Sequence, residues 1–134
     1  MLTVGQEISP KEFHLTRDSL VRYAGASMDF NPIHYRDDVA KSVGLPGVLA
    51  HGMLTMGAAV QVVAEFIGDS GKIIDYQVRF TKPVLVDAQK GAKLVVSGKV
   101  AEINEEENSA RIDLTATFEE TTVLGKAQVW VRTS

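Results

Sequence analysis

The chain contains no cysteine. Disulfide bonds, thiolate nucleophiles and cysteine-ligated metal ions are therefore excluded, and the absence fits a reducing cytoplasm. Long hydrophobic runs are also missing, because the longest apolar stretch, residues 57–68, is interrupted by Gln61 and Glu65 and is too short to span a bilayer. The first residues lack the basic and then apolar pattern of a secretory signal. We expect a soluble, cytoplasmic protein that does not enter the membrane.

Neither sign of charge dominates the composition. The formal net charge is -3, which gives no electrostatic reason to expect binding to nucleic acid or to an anionic membrane surface. The chain has 134 residues, of which 45% are hydrophobic, so it can bury a core without covalent cross-links. We expect a single domain over residues 1–134.

The hydrophobic pattern predicts one long helix followed by several strands. Residues 52–67 are apolar almost all round, which is typical of a buried helix. Shorter helices are predicted over 17–26, behind Thr16 as N-cap, and over 37–43. Alternating apolar residues predict strands over 12–15, 72–81, 94–103, 111–118 and 123–131. The order indicates an α+β domain in which an antiparallel meander wraps the long helix and leaves sheet edges that a dimer would cover.

The segment before the long helix carries the residues with catalytic chemistry. Asp29, Asn31 and His34 fall within six residues, and Pro32 keeps this segment out of regular helix. A carboxylate and an imidazole held on one side of a cleft, bridged by a water, make a general acid–base pair. Asn31 can orient either group through its side-chain amide. Taken alone, each residue has a structural interpretation: Asp29 would cap a turn, and His34 would be a surface histidine. The combined pattern favours a catalytic function.

The start of the long helix offers a site for negative charge. Free N–H groups and the helix dipole at Gly52 favour an anion or a polarised carbonyl oxygen. Gly52 has no side chain to block approach to its amide. For His51 the structural interpretation is the stronger one: a neutral residue at the N-cap that holds the loop by hydrogen bonds. We expect no metal ion, since Asp29, His34 and His51 lack a metal-type spacing.

The residues from Tyr23 to Met56 resemble the MaoC-like dehydratase family, which includes the (R)-specific enoyl-CoA hydratases. The family signature, D-x-N-P-[IVL]-H and later H-G-M, stands here as Asp29 to His34 and His51 to Met53. The segment VRFTKPV at 78–84 also looks like the family's next strand. Within the family the chain is most similar to the single-hotdog catalytic B subunit of (3R)-hydroxyacyl-ACP dehydratase.

The resemblance implies a single hotdog domain, an antiparallel sheet wrapped around a central helix, and a hydro-lyase activity. Asp29 and His34 would add water, syn, across a trans-2-enoyl thioester, or remove it from a (3R)-3-hydroxyacyl thioester. The Gly52 amide would bind the thioester carbonyl, and Pro32, His51 and Met53 would contact substrate. The thioester is itself the electron sink, so no cofactor is implied. The residues leave open which of the pair acts at C2, whether the carrier is CoA or acyl carrier protein, and whether the dimer is with itself or with another hotdog subunit.

Two alternatives compete with this interpretation. An acyl-thioester hydrolase also polarises a thioester at a helix N-terminus, but it needs no paired Asp29 and His34 in this loop. A non-catalytic hotdog subunit would stabilise a partner and shape its acyl tunnel, but such a subunit usually lacks the acid–base pair that this chain retains.

Overall fold

A computed structural model describes every residue from 1 to 134. The chain forms three α-helices: α1 (Arg17–Ser27), α2 (Asp37–Ser42) and α3 (Gly52–Ile67). It forms six β-strands: β1 (Glu7–Leu15), β2 (Ile73–Phe80), β3 (Ala92–Asn104), β4 (Ser109–Phe118), β5 (Thr121–Thr122) and β6 (Leu124–Arg132). Two short 3₁₀ turns lie at Pro32–His34 and Ser70–Lys72. None of the helices combines the length and apolar character needed to cross a membrane.

Local sequence signals set the ends of the helices. Thr16 and Ser19 form a capping box at the start of α1, in which each side chain bonds the backbone N–H of the other. Gly68 ends α3 in the left-handed conformation, with its N–H donating to the carbonyl of Ala64. The predicted start and end of α3 are therefore confirmed, as is the N-cap of α1.

The strands form one antiparallel sheet in the order β1-β3-β4-β6-β2, with the short β5 paired to β4. Helix α3 crosses one face of this sheet and contacts each of the five longer strands. The Tyr76 hydroxyl on β2 donates a hydrogen bond of 2.7 Å to the carbonyl of Met56 within the helix. The α+β prediction, with an antiparallel sheet wrapped around a long helix, is confirmed, and the arrangement is a hotdog fold.

The predicted meander is correct for β3, β4 and β6 but wrong for β2. Strand β2 pairs with β6 and not with β3, its neighbour in sequence. The connection between β2 and β3 leaves the sheet at Pro83, and residues 84–86 pair instead with residues 48–50. Because that segment has a partner elsewhere, the chain returns to start β3 further across the sheet.

Strand β1 is longer than the predicted 12–15. It runs from Glu7 to Leu15 along β3, with an irregularity in register between Ile8 and Lys11. Pro10 lies at this irregularity, on an edge strand, where a missing backbone N–H costs little. The polar composition of residues 7–11 hides the strand from a search for alternating apolar residues.

The core lies between one face of the sheet and one face of α3. Ala59, Val62 and Val63 of the helix are buried against apolar side chains of β3, β4 and β6. The opposite face of α3 is open and carries an exposed stripe at helical spacing: Met53, Gly57, Gln61 and Glu65. The prediction of a buried helix is therefore right for one face only, because a single sheet covers one side.

Gly91 is the backbone position at which the fold most requires glycine. It has a φ of +68°, and a Cβ there would lie 2.4 Å from the backbone oxygen of Leu15. Gly44 has a similar φ of +88° but nothing within 4 Å of such a Cβ. We expect Gly44→Ala to lower the free energy of unfolding by about 1 kcal/mol from backbone strain, and Gly91→Ala by about 2–4 kcal/mol, since the clash adds to strain.

Denaturant unfolding of the two variants, followed by circular dichroism, measures both losses. Equal losses would contradict the assignment of the larger effect to the contact with Leu15.

Candidate active site

Two consecutive side-chain turns shape the loop that follows α1. Met28 ends the helix with a φ of +65°. The Asp29 carboxylate then accepts a hydrogen bond of 3.2 Å from the backbone N–H of Asn31. The Asn31 side-chain oxygen accepts one, also 3.2 Å, from the N–H of Ile33 and so caps the 3₁₀ turn that Pro32 begins. The loop is therefore held by its own polar side chains, and Asp29 stays exposed to solvent.

Asn31 contacts the Asp29 carboxylate through its backbone N–H, whereas the sequence interpretation gave the orienting role to its side-chain amide. The oxygen of that side chain is engaged as the cap of the 3₁₀ turn. Asn31 thus contributes to the geometry of Asp29 through two linked turns. Pro32 fixes the turn and does not line the cavity described below.

The His34 ring is almost fully buried, and one of its two nitrogens is committed to the backbone. Nδ1 lies 2.8 Å from the carbonyl oxygen of Leu49, which can only accept, so Nδ1 carries the proton in the neutral ring. The lone pair of Nε2 is then the free acceptor of His34. Leu49 in turn donates its N–H to the carbonyl of Ile33 at 3.3 Å.

A short antiparallel ladder holds Leu49 in place. The N–H of Ala50 donates to the carbonyl of Val84 at 2.8 Å, and that of Val86 donates to Val48 at 2.9 Å. Leu49 lies opposite Leu85 between these two bonds. The ladder thereby joins the loop before α3 to the segment after β2.

An ion pair buttresses the same loop and was not found from the sequence. Asp37, at the start of α2, accepts hydrogen bonds from the backbone N–H of Val48 at 2.9 Å and from the Arg17 guanidinium at 3.1 Å. The bond from Val48, followed by that from Arg17, holds the pKa of the Asp37 carboxyl below its usual value. Arg17 and Asp37 are 20 positions apart and Asp37 and Val48 are 11 apart, so no local pattern signals these contacts.

The first turn of α3 presents unused backbone donors. The N–H groups of Leu54 and Thr55 bond the carbonyl of His51, but those of Gly52 and Met53 have no partner within the chain. His51 makes no side-chain capping bond that would satisfy them. A helix N-terminus with free N–H groups favours an oxygen that carries or develops negative charge.

These groups line a single cavity of about 450 Å³. Asp29, His34, His51, Gly52 and Met53 all lie on its wall, so five of the seven predicted site residues are brought together. Other lining residues not singled out from the sequence include Thr55 on α3, Phe80 at the end of β2, Pro83, Val123 just before β6, and Leu124 at the start of β6. The apolar members come from segments distant in sequence, which only the sheet topology brings together.

The Phe80 ring lies directly over the start of α3. A Cβ added to Gly52 would meet its ring carbons at 2.9 to 3.1 Å. The Phe80 side chain is nevertheless 55% exposed. Glycine at 52 thus lets an aromatic wall approach the helix end closely, in addition to leaving the amide accessible.

The spacing of the polar groups suits a bound water. One carboxylate oxygen of Asp29 and one ring nitrogen each of His34 and His51 lie within 4.8 Å of one another. Two hydrogen bonds of about 2.8 Å to one water span about 4.5 Å. The two imidazoles stack almost in parallel, with 21° between their planes, and each commits one nitrogen to a backbone carbonyl. One ring nitrogen of each histidine is therefore not bonded to the backbone.

The family of the chain follows from a match of residues 2–118 to the MaoC like domain. This chain belongs to the MaoC-like family. It is 40% identical over 77 residues to the "3-hydroxyacyl-thioester dehydratase X" of Mycobacterium tuberculosis, covering 58% of this chain and 26% of that protein. It is 30% identical over 89 residues to the "(R)-specific enoyl-CoA hydratase" of Rhodospirillum rubrum, covering 66% of this chain and 62% of that protein.

A solved structure described as a MaoC-like dehydratase superposes with a TM-score of 0.96 at 37% sequence identity. The match covers 99% of this chain and 41% of that one. The chain therefore spans between about a quarter and just under two thirds of the proteins to which it is compared here.

Because His51 is buried, the stability of the fold should depend on pH. Burial lowers the pKa of its imidazole and outweighs the hydrogen bond to the Asp29 carbonyl, which raises it; the neighbouring His34 ring lowers it further. Below a pH of about 6.5, His51 is therefore protonated more readily in the unfolded chain than in the folded chain. We expect the free energy of unfolding to fall as pH drops below about 6.5, by less than about 1.4 kcal/mol per pH unit, the limit for one proton.

Denaturant unfolding between pH 5 and 7.5 tests this, with His51→Gln expected to flatten the dependence. Val63→Ala, which removes buried apolar contacts but no titratable group, is the control and should leave the dependence unchanged. Asp37 and Asp87, whose pKa values are lowered by hydrogen bonds, lose their stabilisation at more acid pH. An unchanged slope in His51→Gln would contradict the assignment.

Proposed function

We propose that the chain catalyses reversible syn hydration of trans-2-enoyl thioesters and dehydration of (3R)-3-hydroxyacyl thioesters. The observation that carries the proposal is the approach of the Asp29 carboxylate and the His34 ring to within 4.8 Å in a cavity that also receives the free N–H of Gly52. The names of the two relatives, a dehydratase and a hydratase acting on thioesters, support it.

The geometry suggests roles for the pair. His34 accepts a proton at Nε2 from a water that also donates to the Asp29 carboxylate. The water oxygen bonds to C3 as the C2=C3 double bond opens, and the electron pair moves to the thioester oxygen. The Gly52 N–H stabilises that oxyanion. The imidazolium then returns its proton to C2 from the same face, so that addition is syn and the site regains its starting state.

Dehydration is the reverse sequence. His34 takes the C2 proton while the thioester oxygen receives the charge, and the proton is passed to the departing C3 hydroxyl, which leaves as water. The thioester carries the electron pair throughout, so the chemistry assigned to the side chains is proton transfer and orientation. Met53 and Phe80 form apolar parts of the cavity wall and suit the acyl chain or the thioester arm.

We further propose that the chain works as a dimer, with itself or with another hotdog subunit. Strand β2 is an edge that pairs only with β6, and its Ile74 and Phe80 are 49% and 55% exposed. The open stripe of α3 lies on the helix that β2 contacts. An unpaired edge beside exposed apolar side chains is a surface that a second subunit covers.

Replacement of the acid–base pair tests the activity. We expect Asp29→Asn and His34→Gln each to lower kcat by about 100-fold or more, because each removes a proton-transfer or water-binding group and leaves the loop hydrogen bonds largely in place. The measurement is the loss of enoyl-thioester absorbance with crotonyl-CoA and with a longer trans-2-enoyl-CoA, on the chain alone and with a co-expressed hotdog partner.

Release of free thiol, followed in the same samples, separates hydration from hydrolysis. Activity close to that of the unsubstituted chain in either variant, with folding intact by circular dichroism, would contradict the mechanism. Activity that appears only with a partner and survives both substitutions would assign this chain to the non-catalytic role.

A matched pair of substitutions at residue 52 tests the oxyanion site. Gly52→Ala and Gly52→Pro both add a Cβ against Phe80, but only proline removes the N–H. Proline is favoured at the first position of a helix, and His51, with φ of -58° and ψ of 134°, already has the backbone that precedes proline. We expect kcat of Gly52→Pro to be about 100-fold below that of Gly52→Ala. Equal rates in the two variants would remove the Gly52 amide from the mechanism.

A further inference from the structure

His51 contacts both members of the proposed acid–base pair. Its Nε2 donates a hydrogen bond of 3.2 Å to the backbone carbonyl of Asp29. Its ring stacks on that of His34 with 3.8 Å between centroids and 21° between planes. A single side chain thus contacts the backbone of Asp29, 22 positions earlier in the sequence, and the ring of His34, 17 positions earlier.

The surroundings of His51 keep it in place and uncharged. The residue is 1% exposed. The Tyr23 ring from α1 makes an edge-type contact with it, with 4.6 Å between the ring centroids and 61° between the ring planes. The titratable groups that face it are Tyr23 from α1 and Asp29 and His34 from the loop. None of them donates a hydrogen bond to Nδ1, which is buried without a partner.

The unpartnered Nδ1 indicates that the residue is not there for packing alone. A buried acceptor without a donor costs about 1–3 kcal/mol, which a hydrocarbon ring of similar size would avoid. An imidazole supplies the hydrogen-bond donor to the Asp29 carbonyl, which a phenyl ring lacks. It also supplies a flat surface against His34, which a flexible amide lacks.

We propose that His51 is a positioning residue that sets the separation and mutual orientation of Asp29 and His34. The hydrogen bond fixes the Asp29 backbone at the mouth of the cavity. The stacked ring prevents rotation of the His34 imidazole away from the Leu49 carbonyl and so keeps Nε2 directed at the water. This inference rests on the proposed function, and it assigns no proton transfer to His51.

Three substitutions separate the two contacts. His51→Phe keeps the stacked ring and loses the hydrogen bond; His51→Gln keeps an N–H donor and loses the ring; His51→Ala loses both. With crotonyl-CoA we expect kcat to fall about 10-fold in each of the first two and about 100-fold in the third, with KM changed by less than about 3-fold, because reacting groups are misplaced without loss of binding surface. Val63→Ala, in the core and away from the cavity, controls for loss of stability alone.

The decisive comparison places His51→Ala in a His34→Gln background. A residue that acts through His34 loses most of its effect there, so we expect less than about a 3-fold further loss, against about 100-fold in the unsubstituted chain. An equal loss in both backgrounds would overturn the inference, as would full kcat in both His51→Phe and His51→Gln.

A readout independent of activity separates this inference from the proposed function. Nitrogen NMR of the His34 ring reports which nitrogen carries the proton. We expect the Nδ1–H form to dominate in the unsubstituted chain and in His51→Phe, and a mixture of the two forms in His51→Ala. If the chain has no hydratase activity, this shift still tests the positioning role, and an unchanged His34 ring in His51→Ala refutes it.

Discussion

The antiparallel ladder between residues 48–50 and 84–86 is the constraint on which the site depends. It fixes the Leu49 carbonyl, which decides which nitrogen of His34 carries the proton and therefore which nitrogen is free to accept a hydrogen bond. It also delivers the chain to His51 and Gly52 at the correct point to begin α3. The ion pair of Arg17 and Asp37 supports the same loop from behind by capping the N–H of Val48.

The site combines groups in contrasting environments. Asp29 is exposed on a loop closed by its own side-chain turns, whereas His34 and His51 are buried in a stacked pair beneath it. The helix end that faces them offers donors with no competing partner. The Asp29 carboxylate, the Asn31 side-chain oxygen and one ring nitrogen of each histidine are all bonded to the backbone, which limits the other arrangements available to the loop.

Sequence reasoning succeeds here where the signal is local. The bounds of α3, the N-cap at Thr16 and the grouping of Asp29, Asn31 and His34 follow from periodicity, capping chemistry and spacing. The place of β2 next to β6, the contribution of Phe80 and Leu124 to the cavity, and the stack of His34 on His51 do not. Each of these depends on which distant segments meet, and the pattern of one strand does not specify its neighbours.

The position of Val123 and Leu124 in the cavity wall has a consequence for how the protein matures. Asp29, His34 and the start of α3 are all synthesised by residue 52, but the wall opposite them closes only when the last long strand, β6, inserts between β4 and β2. A chain still emerging from the ribosome therefore holds Asp29, His34 and the start of α3 without the cavity wall that faces them. The cavity is completed late, as a property of the finished sheet.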